Sequence, residues 1–120
     1  MHVLGMMVFT DENEKSVEFK AEQCFKQHTP KFTHKCDFFD VGGRWSRIIV
    51  AKNGKHVNST KVGNVKNVPT PFALCVDGKW HYKNRSAMYM DYENKWQKRF
   101  EGYWNKLPQS ATVVLVDLHY

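Results

Sequence analysis

The sequence predicts one α+β domain with a ferredoxin-like arrangement, in which two helices cover one face of an antiparallel sheet of four or more strands. Three observations favour this fold. An apolar strand opens the chain at residues 2–10, and another closes it at residues 112–120. Two segments between them have apolar residues at helical spacing, and shorter strand-like segments separate these two helices. The length of 120 residues and the 42% hydrophobic fraction suit a single domain over residues 1–120.

The first helix is predicted to follow the opening strand, with Asp11 as its N-cap and Thr29-Pro30 at its end. Its apolar face is formed by Val17, Ala21, Cys24, Phe25 and His28. Residues 31–40 are predicted to be a connecting loop that leads to the turn at Gly42-Gly43. A strand over residues 45–51 is expected to come next.

Asn53-Gly54 predicts a hairpin turn after that strand, and residues 55–70 suggest an irregular basic loop or a weak ribbon. A second hairpin is predicted around Asp77-Gly78. Residues 84–90 suggest a loop before Asp91, which is expected to cap the second helix. Pro108 ends that helix, whose aromatic stripe consists of Tyr92, Trp96, Phe100, Tyr103 and Trp104. Packing in the core is favoured for this stripe over stacking on nucleic acid, although basic residues lie between the aromatic ones.

Composition excludes several classes of protein. Aromatic residues make up 14% of the chain, which argues against disorder. No run of 18 apolar residues exists, so we expect no transmembrane helix, and residues 1–9 suggest a strand instead of a signal peptide. The three cysteines are widely spaced, which argues against a disulfide framework and favours a reducing cytoplasm.

The formal net charge is +6, and residues 52–85 account for all of it, with seven basic residues against Asp77 alone. A basic surface attracts polyanions because their condensed counterions are released on binding. A solvated surface that confers solubility explains the same residues, so both interpretations stay open. The candidate binding residues of this segment are Lys52, Lys55, Lys61, Lys66, Lys79, Lys83 and Arg85.

The segment Asp40-Val41-Gly42-Gly43-Arg44-Trp45 is the most informative local feature. Two glycines let a ligand or another chain approach the backbone, the Arg44 guanidinium suits a phosphate or a carboxylate, and Trp45 suits a nucleobase. A purely structural interpretation carries equal weight. In it, Arg44 is salt-bridged to Asp40 or Asp37 and Trp45 lies in the core.

Three weaker constellations complete the candidate chemistry. His81 follows the Asp77-Gly78 turn and is a candidate ligand or acid–base group. Asp117 and His119 share one face of the last strand, as an oriented general base or half of a metal site requires. His28, His34 and Cys36, with His81, contain the residue types of a zinc site but lack its usual spacing, so no metal or cofactor is expected.

Residues 40–46, 77–81 and 116–119 together resemble an uncharacterised family of small bacteriophage and mobile-element proteins. That family has an aromatic-x-x-Gly-Gly-Arg-Trp segment, an Asp-Gly-x-Trp-His segment and a closing Val-Asp-Cys-His strand. In this chain Leu118 replaces the cysteine, so the resemblance implies no thiol chemistry there. It implies a phage setting in the cytoplasm of a bacterial host. By association with small phage proteins, it also implies a role against a host defence such as CRISPR.

Three functional hypotheses follow. The first is a non-enzymatic, anti-CRISPR-like protein that binds an effector complex or its nucleic acid through the basic segment, with a homodimer possible at an open sheet edge. The second is the binding of a small anionic ligand, such as a nucleotide signal, around Arg44, Trp45 and His81. The third is a nuclease or hydrolase that uses Asp117, His119 and His81. The sequence ranks the third last because it contains no recognisable nucleophile or metal motif.

Overall fold

The computed structural model of the chain describes residues 1–11, 15–30, 36–83 and 92–119, and only the backbone of Phe39 and of residues 92–94. These residues form an α+β fold of two helices and nine strands. In chain order the elements are β1 (His2–Phe9), α1 (Val17–Gln27), β2 (Asp37–Val41), β3 (Ile49–Ala51), β4 (His56–Val57), β5 (Ser59–Lys61), β6 (Val65–Asn67), β7 (Ala73–Val76), β8 (Lys79–Tyr82), α2 (Tyr92–Asn105) and β9 (Thr112–His119).

The main sheet has the strand order β2-β9-β1-β7-β8, and β5 pairs with β9 beyond the end of β2. Strands β1 and β9 pair antiparallel over all eight residues, from His2 opposite His119 to Phe9 opposite Thr112. Strand β7 runs parallel to β1, while the other pairs are antiparallel. The sheet is therefore mixed and larger than the sequence predicted, and the ferredoxin-like arrangement is not confirmed.

The two helices pack on opposite faces of this sheet, so the prediction that both cover one face was wrong. Side chains alternate along β1, and Met6 packs in the same cluster as Trp96 of α2, whereas Met7 packs with Phe25 of α1. Strands β1 and β9 bury side chains on both faces. This two-sided burial is the physical reason for their largely apolar sequences.

Helix α1 is capped by Ser16 and not by Asp11, because the Ser16 side chain accepts a hydrogen bond from the backbone N–H of Phe19. Asp11 instead accepts a hydrogen bond from Lys20 at 3.1 Å. The predicted apolar face is confirmed for Ala21 and Phe25, which are buried, and for Val17 and Cys24, which pack against their cluster. His28, the last predicted member, is exposed and lies after the end of the helix. In α2, Trp96 and Phe100 are buried, which confirms core packing of the described part of the stripe. The predicted Asp91 cap and the loop at 84–90 lie outside the described residues.

A second, three-stranded sheet with the order β4-β3-β6 lies between β2 and β7 in the chain. Its Ile49, together with Val62 after β5, joins the cluster on the α2 face. Residues 37–41, predicted to be loop, form strand β2, and the predicted strand at 45–51 begins only at Ile49 because a 3-10 turn occupies residues 43–45. Residues 55–70 are also more regular than predicted.

Both predicted hairpins are confirmed. Strands β3 and β4 pair across Asn53-Gly54, and β7 and β8 pair across Asp77-Gly78. Asp77 and Gly78 both have positive φ angles, of 48° and 91°, as a tight two-residue hairpin requires. Among the described residues, neither helix has the length and apolar character needed to cross a membrane.

Candidate functional site

The Gly-Gly turn is held against a buried carboxylate. Strand β2 ends at Val41, and the chain turns through Gly42 and Gly43, whose φ angles are 75° and 50°. The turn brings the backbone N–H of Arg44 to 3.1 Å from Oδ2 of Asp117, which is fully buried in β9. A Cβ atom on Gly43 would lie 2.5 Å from Cβ of Asp117, so only glycine fits this approach. The sequence suggested that the two glycines let a ligand approach the backbone. In the structure they instead let the backbone approach Asp117.

Asp117 also orients a histidine from the first strand. Nδ1 of His2 lies 2.7 Å from Oδ1 of Asp117, and the His2 ring centroid lies 4.9 Å from that of His119. His119 in turn lies 3.9 Å from the carboxylate of Asp37. When neutral, a ring that donates from Nδ1 keeps its lone pair on Nε2. The pair therefore fixes the tautomer of His2, as a general base or a ligand-reading imidazole requires.

An open cavity of about 460 Å³ lies beside His2, on the face of the main sheet that α2 covers. Its walls include Leu4, Trp45, Ile48 and Trp96, and Lys83 also borders it. The indole N–H of Trp96 donates to the backbone oxygen of Pro71 at 2.7 Å. The indole N–H of Trp45 is buried and has no hydrogen-bond partner among the described residues. A buried donor without a partner is rare in folded proteins, because burial removes its hydrogen bonds to water.

The second candidate feature is a concentration of positive charge in residues 41–76, here called the basic module. The module includes the Gly-Gly turn and the small sheet, and it has six basic residues and no Asp or Glu. Twelve basic and twelve acidic residues make up the charges of the rest of the chain, so the module carries the whole net charge of +6. All six basic side chains are exposed, and none forms an ion pair with an acidic side chain that the structure describes. They are Arg44, Arg47, Lys52, Lys55, Lys61 and Lys66.

The basic residues predicted from the sequence are thus divided between two regions. Lys52, Lys55, Lys61 and Lys66 lie in the basic module, and Lys61 donates a hydrogen bond to Thr112 at 3.2 Å. Lys79 is exposed on β8 at the other edge of the main sheet, and Lys83 borders the cavity. Arg85 lies outside the described residues.

The structural interpretation of this segment holds in part for Trp45 but not for Arg44. The predicted salt bridge of Arg44 to Asp40 or Asp37 is not found, and the guanidinium is exposed. Trp45 is half-buried and packs against the core cluster on the α2 face. The backbone of the turn has a structural role, because it donates a hydrogen bond to Asp117. The Arg44 side chain is exposed and accessible to a partner.

The predicted grouping of His81 with Asp117 and His119 is wrong. His81 lies on β8, which β7 and β1 separate from β9, and its ring stacks on Tyr103 with centroids 4.0 Å apart. Burial, with Lys79 and Arg99 nearby, lowers the pKa of His81. The neighbouring Trp80 donates its indole N–H to the backbone oxygen of His28. His81 is therefore a packing residue between β8 and α2, and it cannot act with the Asp117 group.

The thiols and the suggested zinc ligands do not form a metal centre within the described part of the chain, where no group of three metal-binding side chains occurs. His34 lies outside the described residues. The Sγ atoms of Cys24 and Cys75 lie 3.8 Å apart, a contact that no sequence pattern predicted. A hydrogen bond from Cys75 lowers the pKa of Cys24, and burial beside Asp37 raises that of Cys36 to about 11.

Sequence reasoning missed His2 and Asn58. Asn58 holds the other side of the turn, because its side-chain oxygen accepts from the backbone N–H of Arg47 at 2.6 Å. Pairing the two apolar end strands in full register would have placed His2 opposite His119 and diagonal to Asp117. No comparable signal marks Asn58, whose position depends on the small sheet.

Comparison with known proteins adds no relative to this description. No protein-family model, no curated protein and no solved structure matches the chain.

Proposed function

We propose that this chain is a non-enzymatic binding protein that applies its basic module to a polyanion, namely the nucleic acid held by an effector complex of a host defence system. The observation that supports the proposal is the concentration of six exposed cationic side chains in a module without a single acidic residue. Nucleic acid suits such a surface, because each phosphate contact releases condensed counterions.

The geometry of the small sheet fits this role. Val65 packs against the core, and Lys66 is exposed beside it, so the outer face of β6 carries its charge towards solvent. Lys52 and Lys55 lie at the tip of the β3–β4 hairpin. Arg44 and Arg47 follow the two glycines, and their backbone N–H groups donate to the side chains of Asp117 and Asn58. Cations on a fixed scaffold lose less conformational entropy on binding than cations on a flexible tail.

Charge removal at matched positions tests the binding surface. In a Lys52→Gln/Lys55→Gln/Lys66→Gln variant we expect the affinity for a single-stranded oligonucleotide to fall about tenfold or more at roughly 100 mM salt. The slope of log affinity against log salt should decrease by roughly two to three. Fluorescence anisotropy over a range of NaCl concentrations measures both quantities.

The matched control is Lys26→Gln/Lys98→Gln/Lys106→Gln, which removes the same charge from exposed lysines outside the module. Its affinity should stay within about twofold of the wild type, because long-range charge alone is screened at this salt concentration. Equal losses of affinity in the two variants would show that binding depends on the net charge of the protein and not on the basic module. No loss in the module variant would contradict the proposal.

The setting is proposed on the resemblance to small phage proteins. The wild-type protein is expected to inhibit target cleavage by at least one CRISPR effector in a panel of purified, guide-loaded complexes, and the triple module variant is expected not to inhibit it. Failure against the whole panel, with oligonucleotide binding intact, would contradict the anti-defence role and leave the binding function standing. A homodimer through an open edge of the main sheet stays a prediction, which sedimentation velocity measures directly.

A further inference from the structure

Two thiols are in contact on the face of the main sheet that α1 covers. Sγ of Cys24, on α1, lies 3.8 Å from Sγ of Cys75, on β7, at hydrogen-bonding distance. Cys75 is a buried member of the core cluster on this face, and Cys24 packs against the same cluster. The two residues are 51 positions apart in the chain, so their contact depends on the native packing of α1 on the sheet.

The two thiols differ in their access to solvent. Cys75 is 1% exposed, whereas Cys24 is partly exposed and lines an open cavity of about 390 Å³ beside α1. Lys20 and His28 also line this cavity, while Cys75 and Cys36 do not. A small oxidant that enters the cavity therefore meets Cys24 before it meets either of the other thiols.

The contact also makes the two thiols chemically unequal. The hydrogen bond from Cys75 lowers the pKa of Cys24, and the thiolate is the nucleophilic form of cysteine. The same hydrogen bond is the largest cause of the raised pKa of Cys75, so Cys75 keeps its proton while Cys24 is a thiolate. Thiolate character, access to solvent and a second cysteine close by are together typical of cysteines that respond to oxidants.

We infer that Cys24 and Cys75 form a reversible disulfide when the protein meets a hydroperoxide such as hydrogen peroxide. The Cys24 thiolate attacks one peroxide oxygen, the O–O bond breaks and hydroxide leaves, which converts Cys24 to a sulfenic acid. The Cys75 sulfur then attacks the Cys24 sulfur, the S–O bond breaks, and the oxygen leaves as water. The proton of the Cys75 thiol neutralises the hydroxide of the first step. The two thiols together lose two electrons, and the peroxide gains them and is reduced to water.

The fold accommodates this bond with a small movement. A disulfide bond is about 2 Å long, so the two sulfur atoms have to approach by about 1.8 Å, which a side-chain rotation provides. The closed loop would contain all six cationic side chains of the basic module, and it would tie α1 to β7. In a reducing compartment such a bond would be transient, as redox-sensing disulfides are. The inference is independent of the proposed function, because it requires no bound nucleic acid.

Peptide mapping of the wild-type protein by mass spectrometry tests the inference directly. The reduced protein is treated with micromolar hydrogen peroxide, the remaining thiols are alkylated, and the tryptic peptides are identified. We expect peptides joined through Cys24 and Cys75, an intact chain that has lost two hydrogen atoms, and the return of both thiols after treatment with dithiothreitol. Oxidation of Cys24 without the joined peptides, or a bond to Cys36 or to a second chain, would overturn the inference.

Two variants separate the steps of the reaction. In Cys75→Ser the sulfenic acid of Cys24 should persist and be trapped by dimedone, and no joined peptides should form. Cys36→Ala is the matched control, because Cys36 is not among the groups that shift the pKa of Cys24 or Cys75. It should form the disulfide within about twofold of the wild-type rate. Loss of the disulfide in Cys36→Ala would contradict a direct reaction between the other two thiols.

Thermal unfolding shows whether the bond fits the native packing. The oxidised wild type should have a Tm about 5 °C or more above that of the reduced protein, because a cross-link across a long loop restricts the unfolded chain. Dithiothreitol should reverse this rise, and Cys24→Ser should show no rise after the same treatment with peroxide. If the joined peptides form and Tm does not rise, the bond does not fit the native contact and the inference is wrong. The peptide map and the Tm of the wild type need no substitution, so a folding defect in a variant would not prevent a decision.

Discussion

One buried carboxylate connects the separate motifs of the sequence at the scale of single residues. Asp117 has no exposed surface, yet it lies in a strand whose neighbours are apolar. Burying a carboxylate is costly unless hydrogen bonds satisfy it, and here it accepts from Arg44 and is paired with His2. The glycines of the turn make this arrangement possible, because they let the backbone N–H of Arg44 approach the carboxylate.

Gly43→Ala is therefore expected to destabilise the fold more than its backbone angle alone explains. The new methyl group would lie 2.5 Å from Cβ of Asp117, and φ at this position is 50°. We expect a loss of about 2–4 kcal/mol in the free energy of unfolding, measured by urea denaturation.

Gly54→Ala is the matched control, because Gly54 also has a positive φ, of 84°, but no atom within 4 Å of the added carbon. It should lose only about 1 kcal/mol, which is the conformational cost of that backbone region. Equal losses at the two positions would show that the approach to Asp117 adds nothing to the requirement for glycine.

At the scale of elements, the long regular segments could be predicted from the sequence and the short ones could not. The apolar runs of β1 and β9 are long enough to be recognised, and the apolar face of α1 repeats its helical period. The strands of the small sheet have two or three residues, which is too few for a period to show. Strand β2 was missed because its partner, β9, lies at the far end of the chain.

The candidate site could also be predicted only in part. The sequence singled out the Gly-Gly turn and the pair Asp117 and His119 as candidates, and the structure brings the turn to Asp117. The sequence could not show that β8 lies on the far side of β1 and β7, which separates His81 from this group. Strand order depends on pairing across the whole sheet, and no local pattern encodes it.

Contact between α1 and β7 also makes a prediction about thiol reactivity. Cys24 on α1 should react with iodoacetamide faster than Cys36 or Cys75, because the Cys75 thiol stabilises its thiolate and lowers its pKa. The hydrogen bond with Cys24, together with burial, raises the pKa of Cys75, and burial raises that of Cys36. Cys75→Ala removes that hydrogen bond and should slow the alkylation of Cys24 at neutral pH by about threefold or more. The alkylation rate near pH 10 should be unchanged, since the thiolate then forms without help.

Peptide mass spectrometry over a pH series gives these rates residue by residue. Cys36→Ala is the control, because Cys36 is not among the groups that shift the pKa of Cys24. A rate profile of Cys24 that does not move in Cys75→Ala would contradict the assigned role of the thiol pair.

At the scale of the whole molecule, the charge is unevenly distributed. The basic module carries +6, while the remaining charges balance. Like charges on a small folded surface repel one another, and this repulsion opposes folding until a polyanion or salt screens it. The same feature that suits the module to nucleic acid thus weakens the fold in the unbound state.

Added salt should therefore stabilise the unbound protein through the basic module. Between about 20 mM and about 300 mM NaCl we expect Tm to rise by about 2–5 °C, because the Debye length shortens to less than the spacing of many surface charges. Lys52→Gln/Lys66→Gln should reduce this rise, since it removes two of the repelling charges. Lys98→Gln/Lys106→Gln removes the same net charge from exposed sites outside the module and should preserve the rise. Differential scanning calorimetry of the three proteins measures the effect, and an equal reduction in both variants would show that repulsion is spread over the molecule and not concentrated in the module.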